Sequence, residues 1–185
     1  MASETATKLL DEAQALIQRR GYNGFSYRDL ATAIGIKTAS IHYHFPTKAD
    51  LGAALIERYL QGLEASLTRI EREEGSARAR LEAFVALYRQ TEAAGAICLC
   101  GSLASDHETL APEVQGAVGA YLDRSEAWVR EQLEAGDAAG ELTCSEPASA
   151  AALLLSSLQG GLILARARGA HLLQDLERSF FASLS

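Results

Sequence analysis

Apolar residues recur along this chain at intervals of three and four, the period of a helix with one buried face. Leu9, Leu10, Ala13, Leu16 and Ile17 predict a first helix, which Gly21 stops. Ser26-Tyr27-Arg28-Asp29 has the form of a capping box and opens a second, short helix that turns Leu30, Ala31 and Ile34 inward and ends at Gly35. A third short helix is expected over Thr38–His44. Thr47-Lys48-Ala49-Asp50 is a second capping box, launching a helix over 48–73 with Leu51, Leu55, Tyr59, Leu63, Leu67 and Ile70 on one side. At 1.5 Å per residue that helix is about 39 Å long, enough to join two bodies. Further helices are expected over 76–94 (ended by Gly95), 97–107, 112–139, 146–168 with Pro147 in its first turn, and 170–184. Three prolines and no β-branched alternation leave no strand to propose. The reading is an all-α chain of about nine helices, with no internal repeat and no low-complexity linker.

The third helix carries the sharpest question, because GIKTASIHYHFPTKADL holds two histidines beside a tyrosine. With Ile41 inward and 100° per residue, Phe45 shares the buried edge. Ala39 and Tyr43 then point away, with Ser40 and His42 on the flanks. Residues two apart on a helix do not face one another, so His42 and His44 diverge and are poorly placed to share a metal. No metal site and no cofactor are expected. A short helix with a small, polar and aromatic outer face, preceded by a short helix and a glycine turn, has the layout of a helix-turn-helix whose second helix enters the major groove. Lys48, at the start of the next helix, stands where its ammonium and the helix's open N–H groups could meet a phosphate.

Charge changes the picture only through its distribution. The net formal charge is −7, yet six of the 17 basic residues and only five of the 24 acidic ones lie within the first fifty positions, including all three lysines (Lys8, Lys37, Lys48). Acid is segregated toward the C-terminal part, which permits a DNA-facing N-terminal head. No apolar run of membrane-spanning length stands out and the N-terminus has no signal-peptide core, so a cytoplasmic protein with no membrane partner is expected. Three cysteines, Cys98, Cys100 and Cys144, are an odd number and argue for thiols rather than a disulfide framework.

Residues 7–55 resemble the N-terminal domain of the TetR family of transcriptional regulators, through the Ser26-to-Ile34 helix, the Gly35-Ile36 turn and the TASIHYHFPTKADL run with its His-Phe-x-x-Lys-x-x-Leu ending. The resemblance implies a helix-turn-helix DNA-binding domain over 1–47 and an effector-binding and dimerisation domain over 48–185, linked by the 48–73 helix. It implies that Thr38, Ser40, His42 and Tyr43 approach bases and phosphates, and that Lys48 with Tyr27 or Arg28 clamps the backbone. Lys37 stands where the family often has a Ser or Thr cap and adds a candidate phosphate contact; His42 stands where the family usually has tyrosine. The implied partners are double-stranded operator DNA, a second copy of the chain and a small-molecule effector, and the implied activity is repression rather than catalysis.

For the second copy, the residues themselves point to helices 112–139 and 146–168. The latter reads AAALLLSSLQGGLILARA, apolar on more than one face, with Gly160 and Gly161 at its middle. Central glycines cost about 1 kcal/mol each relative to alanine unless close helix approach compensates. A four-helix dimer interface is expected, against a monomer that buries this helix centrally. Candidate effector-lining residues are Tyr59, Leu63, Phe84, Tyr88, Leu103, Tyr121, Trp128 and Leu158, each of which could equally be core.

Cys98 and Cys100 read either as small buried hydrophobes or as electrophile or oxidant sensors. The second reading rests on similarity of Cys98-Leu99…Leu103-Ala104-Ser105-Asp106 to electrophile-sensing TetR members, the repressor of the N-ethylmaleimide reductase operon among them. The lysine expected there is replaced by Ser102. Two rivals stay open: a thiol-dependent enzyme with His107 as base, and a helical protein–protein adaptor that has lost DNA binding.

Overall fold

The computed structural model describes residues 4–169 and 172–184. They form α1 (Glu4–Arg20), α2 (Tyr27–Ile34), α3 (Thr38–His44), α4 (Lys48–Glu73), α5 (Ala77–Ala93), α6 (Leu99–Ser105), α7 (Pro112–Ala138), α8 (Pro147–Arg168) and α9 (Leu172–Ala182), with one 3₁₀ turn at His107–Thr109 and no strand among the described residues. The expected 97–107 helix is shorter than its pattern: α6 closes at Ser105 and the chain tightens into the 3₁₀ turn. Of the expected last helix, residues 170 and 171 lie outside the described ones.

Two compact units are present, Met1–Gln61 with Leu99–Tyr121 and Gly62–Cys98 with Leu122–Ser185. Both α4 and α7 run unbroken from one into the other. In the first, α1 packs on α2 and on α6, and α2 on α3. Its core is Leu9, Ala13, Ile17, Leu30, Ile41, Leu51, Leu55 and Ile56, all almost fully buried. The buried Ser102 hydroxyl donates to the Ile17 carbonyl at 2.9 Å, a last-turn acceptor of α1 that also takes the Gly21 N–H at 2.9 Å. Tyr59 stacks on Tyr121, ring centres 5.0 Å apart.

In the second unit α8 packs on α9 and on α5. Phe84 stacks on Trp128 at 5.4 Å, and the indole N–H donates to Glu71 at 2.7 Å. Arg124 holds Glu64 through two N–H···O bonds of 2.7 and 3.1 Å. The two central glycines of α8 have different surroundings. A Cβ on Gly161 would lie 2.6 Å from Leu173 Cδ2, so that position lets α9 approach; Gly160 faces open space. Contrary to the expectation that no segment is apolar and long enough, α8 meets the length and composition of a membrane span, and only 39% of its apolar window is buried. Its outward apolar side chains are Leu153, Ile163 and Leu164.

Candidate nucleic-acid interface

The head is assembled from local signals that close on one another. Ser26 caps α2, with its N–H donating to the Asp29 carboxylate at 2.8 Å and its hydroxyl accepting from the Asp29 N–H at 3.3 Å. The Ser26 hydroxyl, then its N–H, hold the Asp29 carboxyl below the usual range. Gly35 ends α2 at φ 73°, the left-handed conformation that a Cβ disfavours, and the Ile36 N–H returns to the Ala31 carbonyl at 3.0 Å. This turn sets the start of α3. Lys37 precedes it without a side-chain capping bond.

On α3 the inward edge is Ile41 and Phe45. Tyr43 stands 84% exposed, an aromatic ring the fold leaves in solvent. Ala39, Ser40 and His42 are exposed beside it, as are Arg28 and Lys37, while Thr38 is half-buried. A groove of about 410 Å³ runs along this face, lined by Thr5, Ile36, Ala39, Ser40, Tyr43 and His44. The two histidines have separate surroundings: His42 packs edge-on to Tyr27 at 4.9 Å, and His44 to Tyr43 at 5.2 Å. Nδ1 of His42 lies 3.0 Å from the Pro46 carbonyl. A carbonyl only accepts, so Nδ1 is the donor in this contact.

Two of the expected backbone clamps are engaged by the head itself. The Tyr27 hydroxyl shares its single proton between the carbonyls of Phe45 (3.0 Å) and Thr47, across the end of α3. Burial first, then the Asp50 carboxylate, push its pKa far above the phenol's ordinary value, so it stays a donor. Lys48 turns its ammonium back onto the Tyr22 and Phe25 carbonyls, the latter at 2.7 Å, with Nζ 4.5 and 4.2 Å from the two ring centres. Burial holds its pKa below the usual ammonium range, against the pull of Asp106 and Asp29. Two of its three N–H groups are thereby used.

Asp106 is the residue that pattern reading passed over. Its carboxylate accepts from the Tyr22 N–H at 2.8 Å and from Asn23 Nδ2 at 2.9 Å; Asn23 also reaches Thr109 Oγ1 at 2.8 Å. Tyr22 thus gives its N–H to Asp106 and its carbonyl to Lys48, so one residue ties the segment after α6 to the start of α4. These partners are 84 positions apart, and no local signal announces them.

Elsewhere, Cys98, Cys100 and Cys144 are buried and none is in a disulfide. Burial, foremost, raises the Cys144 thiol pKa. Of the expected effector-lining residues, Tyr59, Leu103 and Tyr121 belong to the first unit, and Leu63, Phe84, Tyr88, Trp128 and Leu158 to the second. All but Tyr59 are buried, with Phe84, Leu103, Trp128 and Leu158 at 0% exposure.

The profile of bacterial regulatory proteins, tetR family, matches residues 9–55, the segment that builds this head. The chain is 34% identical over 79 residues to the HTH-type transcriptional repressor KstR2 of Rhodococcus jostii (strain RHA1), an overlap of 43% of this chain and only 39% of that protein. Likeness to solved structures extends over the whole chain. A TetR transcriptional regulator from Legionella pneumophila is 34% identical with a TM-score of 0.90, covering 100% of this chain and 99% of that one. The reduced form of E. coli NemR shares the fold at 23% identity and a TM-score of 0.84, covering 98% of each chain.

Proposed function

The chain belongs to the TetR family of bacterial transcriptional regulators, and from that premise we propose that it represses transcription by binding a palindromic operator as a homodimer and leaves it when a small-molecule effector binds. The observation that carries the DNA reading is Tyr43, 84% exposed on a seven-residue helix whose other edge is fully buried. A large aromatic ring left in water by an otherwise well-packed head is explained if it is covered by the major groove. In this reading Ser40, His42 and Tyr43 meet bases or phosphates, and Arg28, Lys37 and Thr38 flank them. Tyr27 and Lys48 act from behind, holding the ends of α3 and α4 in place. Residues 1–47 bind DNA and 48–185 serve effector binding and dimerisation.

A twin subunit is supported by α8. Leu153, Gly160 and Leu164 fall within about 20° of one line along it, counting 100° per residue. Leu153 and Leu164 are exposed and Gly160 opens to empty space, so a second copy could approach closely there. That pairing also gives the apolar face a protein partner rather than lipid, in keeping with a cytoplasmic regulator. Two recognition helices roughly 34–36 Å apart would then read two half-sites. Burial of Cys98 and Cys100 favours a small-molecule effector over thiol modification as the release signal.

The test is selection of bound fragments from the source genome, followed by titration of the recovered palindrome at several salt concentrations. Binding should fall steeply with salt, and Tyr43→Ala should cost more than about 1 kcal/mol with helicity unchanged. A protein that ignores every fragment in dilute salt would defeat the proposal.

A further inference from the structure

His42 is exposed on α3, yet its ring is fixed from two sides. Tyr27 meets it edge-on at 4.9 Å, and Nδ1 donates to the Pro46 carbonyl at 3.0 Å. The second ring nitrogen, Nε2, has no partner among the described residues. A neutral imidazole carries one N–H. With that N–H spent on Pro46, Nε2 can only accept, and it donates only when the ring takes up a second proton. DNA offers chiefly acceptors to such a group: phosphate oxygens, and guanine N7 and O6 in the major groove. The carboxylates on the neighbouring elements are engaged in capping boxes, Asp29 of α2 with Ser26 and Asp50 of α4 with Thr47. The Tyr27 hydroxyl and the Lys48 ammonium are turned onto backbone carbonyls, Arg28 and Lys37 are exposed cations, and His44 lies against Tyr43. An acceptor for Nε2 is therefore left for DNA to supply.

We propose that operator binding loads a proton onto His42, so that the imidazolium keeps Pro46 through Nδ1 and donates from Nε2 to an acceptor on DNA, a phosphate oxygen or a guanine edge. The proton comes from solvent and returns to it on dissociation. A polyanion beside the ring favours its charged form. Operator affinity is then linked to pH, rising as the solution is acidified through the range in which imidazoles titrate. The hydroxyls of Ser40 and Tyr43 donate without taking up a proton and carry no such linkage. The inference deepens the DNA-binding reading and rests on it.

The full chain is titrated with its selected operator at pH 6 and pH 8, at constant ionic strength. A dimer carrying two such histidines should bind at least about tenfold tighter at pH 6. Calorimetry near neutral pH, in two buffers of different ionisation enthalpy, should show net proton uptake on binding. His42→Gln offers an N–H near the reach of Nε2 with no need of a proton, so its affinity should be flat in pH and most of the uptake should vanish. His44→Gln, which removes the other imidazole of α3, should keep the parent's pH dependence. A flat parent overturns the proposal, and so does a pH dependence that survives in His42→Gln. Tighter binding at pH 8 also overturns it, since that is the sign given by a base amino group donating to neutral Nε2. Unrelated DNA of the same length identifies the acceptor: acid tightening on both DNAs supports a phosphate, and on the operator alone a guanine edge. Operator binding that is flat in pH removes the proton linkage alone, whereas no binding at either pH takes the DNA-binding reading with it.

Discussion

Replacing Lys48 with methionine separates two jobs for one ammonium. In the fold its Nζ donates to the Tyr22 and Phe25 carbonyls and lies over both of their rings. Methionine keeps most of the aliphatic stem and removes the charge, leaving two carbonyls without their donor. Hydrogen bonds to charged groups are worth about 1.5–3 kcal/mol each. Lys48 is only half-buried, so the lower figure applies to each bond. The cation–ring contacts add about 0.5–1 kcal/mol, for a total of about 3.5–4 kcal/mol. In a chain of this size 1 kcal/mol moves Tm by about 2–4 °C, so Lys48→Met should melt about 7–16 °C below the parent. If the internal role is the whole role, the slope of log affinity against log salt for the operator stays at the parent value. A lysine whose sole task is a phosphate contact does the reverse: stability holds within about 0.5 kcal/mol and the slope drops by about 1 per half-site. Paired melting and salt-titration curves therefore decide it. A variant as stable as the parent with a reduced slope would refute the inward assignment.

Leu164→Glu places a carboxylate on the exposed stripe of α8; sedimentation should show monomers and operator affinity should fall sharply, whereas a dimer of unchanged affinity would remove α8 from the interface. The Asp29 carboxyl sits below its ordinary value, so its contribution to stability is present above that ordinary value and is lost as pH falls through the folded one. Melting curves taken from neutral to acid should accordingly show a smaller acid loss in Asp29→Asn than in the parent, and coincident pH dependences would contradict the cap's electrostatic role. Thiol titration with an aromatic disulfide reagent should be slow for the folded protein and should reach three equivalents only on unfolding, because all three cysteines are buried. Fast reaction at Cys98 accompanied by operator release would restore the sensing role.

What the sequence disclosed is whatever its local chemistry enforces. Ser26 with Asp29, and Thr47 with Asp50, are reciprocal bonds over three residues, and both capping boxes form. The Ile41–Phe45 edge is a matter of helical angle alone, and both side chains are buried while Tyr43 is not. The extent of α6 was harder to see, because Ser105-Asp106-His107 continues a helical pattern while Asp106 is drawn away to Tyr22 and Asn23. That choice is made by a partner 84 residues off. The same holds for Lys48. A lysine at a helix start beside a DNA-reading element suggests a phosphate by its position, yet its neighbours Tyr22 and Phe25 come from the α1–α2 turn, and only the folded head brings their carbonyls within reach.

This distinction bears on how the head could be controlled. Lys48, Tyr22 and Asp106 form one electrostatic chain: carboxylate, backbone N–H and carbonyl of a single residue, then ammonium. Withdrawing Asp106 would take a counter-charge from Lys48, whose burial already disfavours its charged form. The loss would fall on the bonds that fix the start of α4 and, through Tyr27 and the Phe45–Thr47 carbonyls, the end of α3. On the proposed reading, the DNA-facing helix therefore depends on residues whose hydrogen bonds lie within the head. Mutations there should alter operator affinity uniformly across sequences, whereas changes at Ser40, His42 or Tyr43 should alter which sequence is preferred.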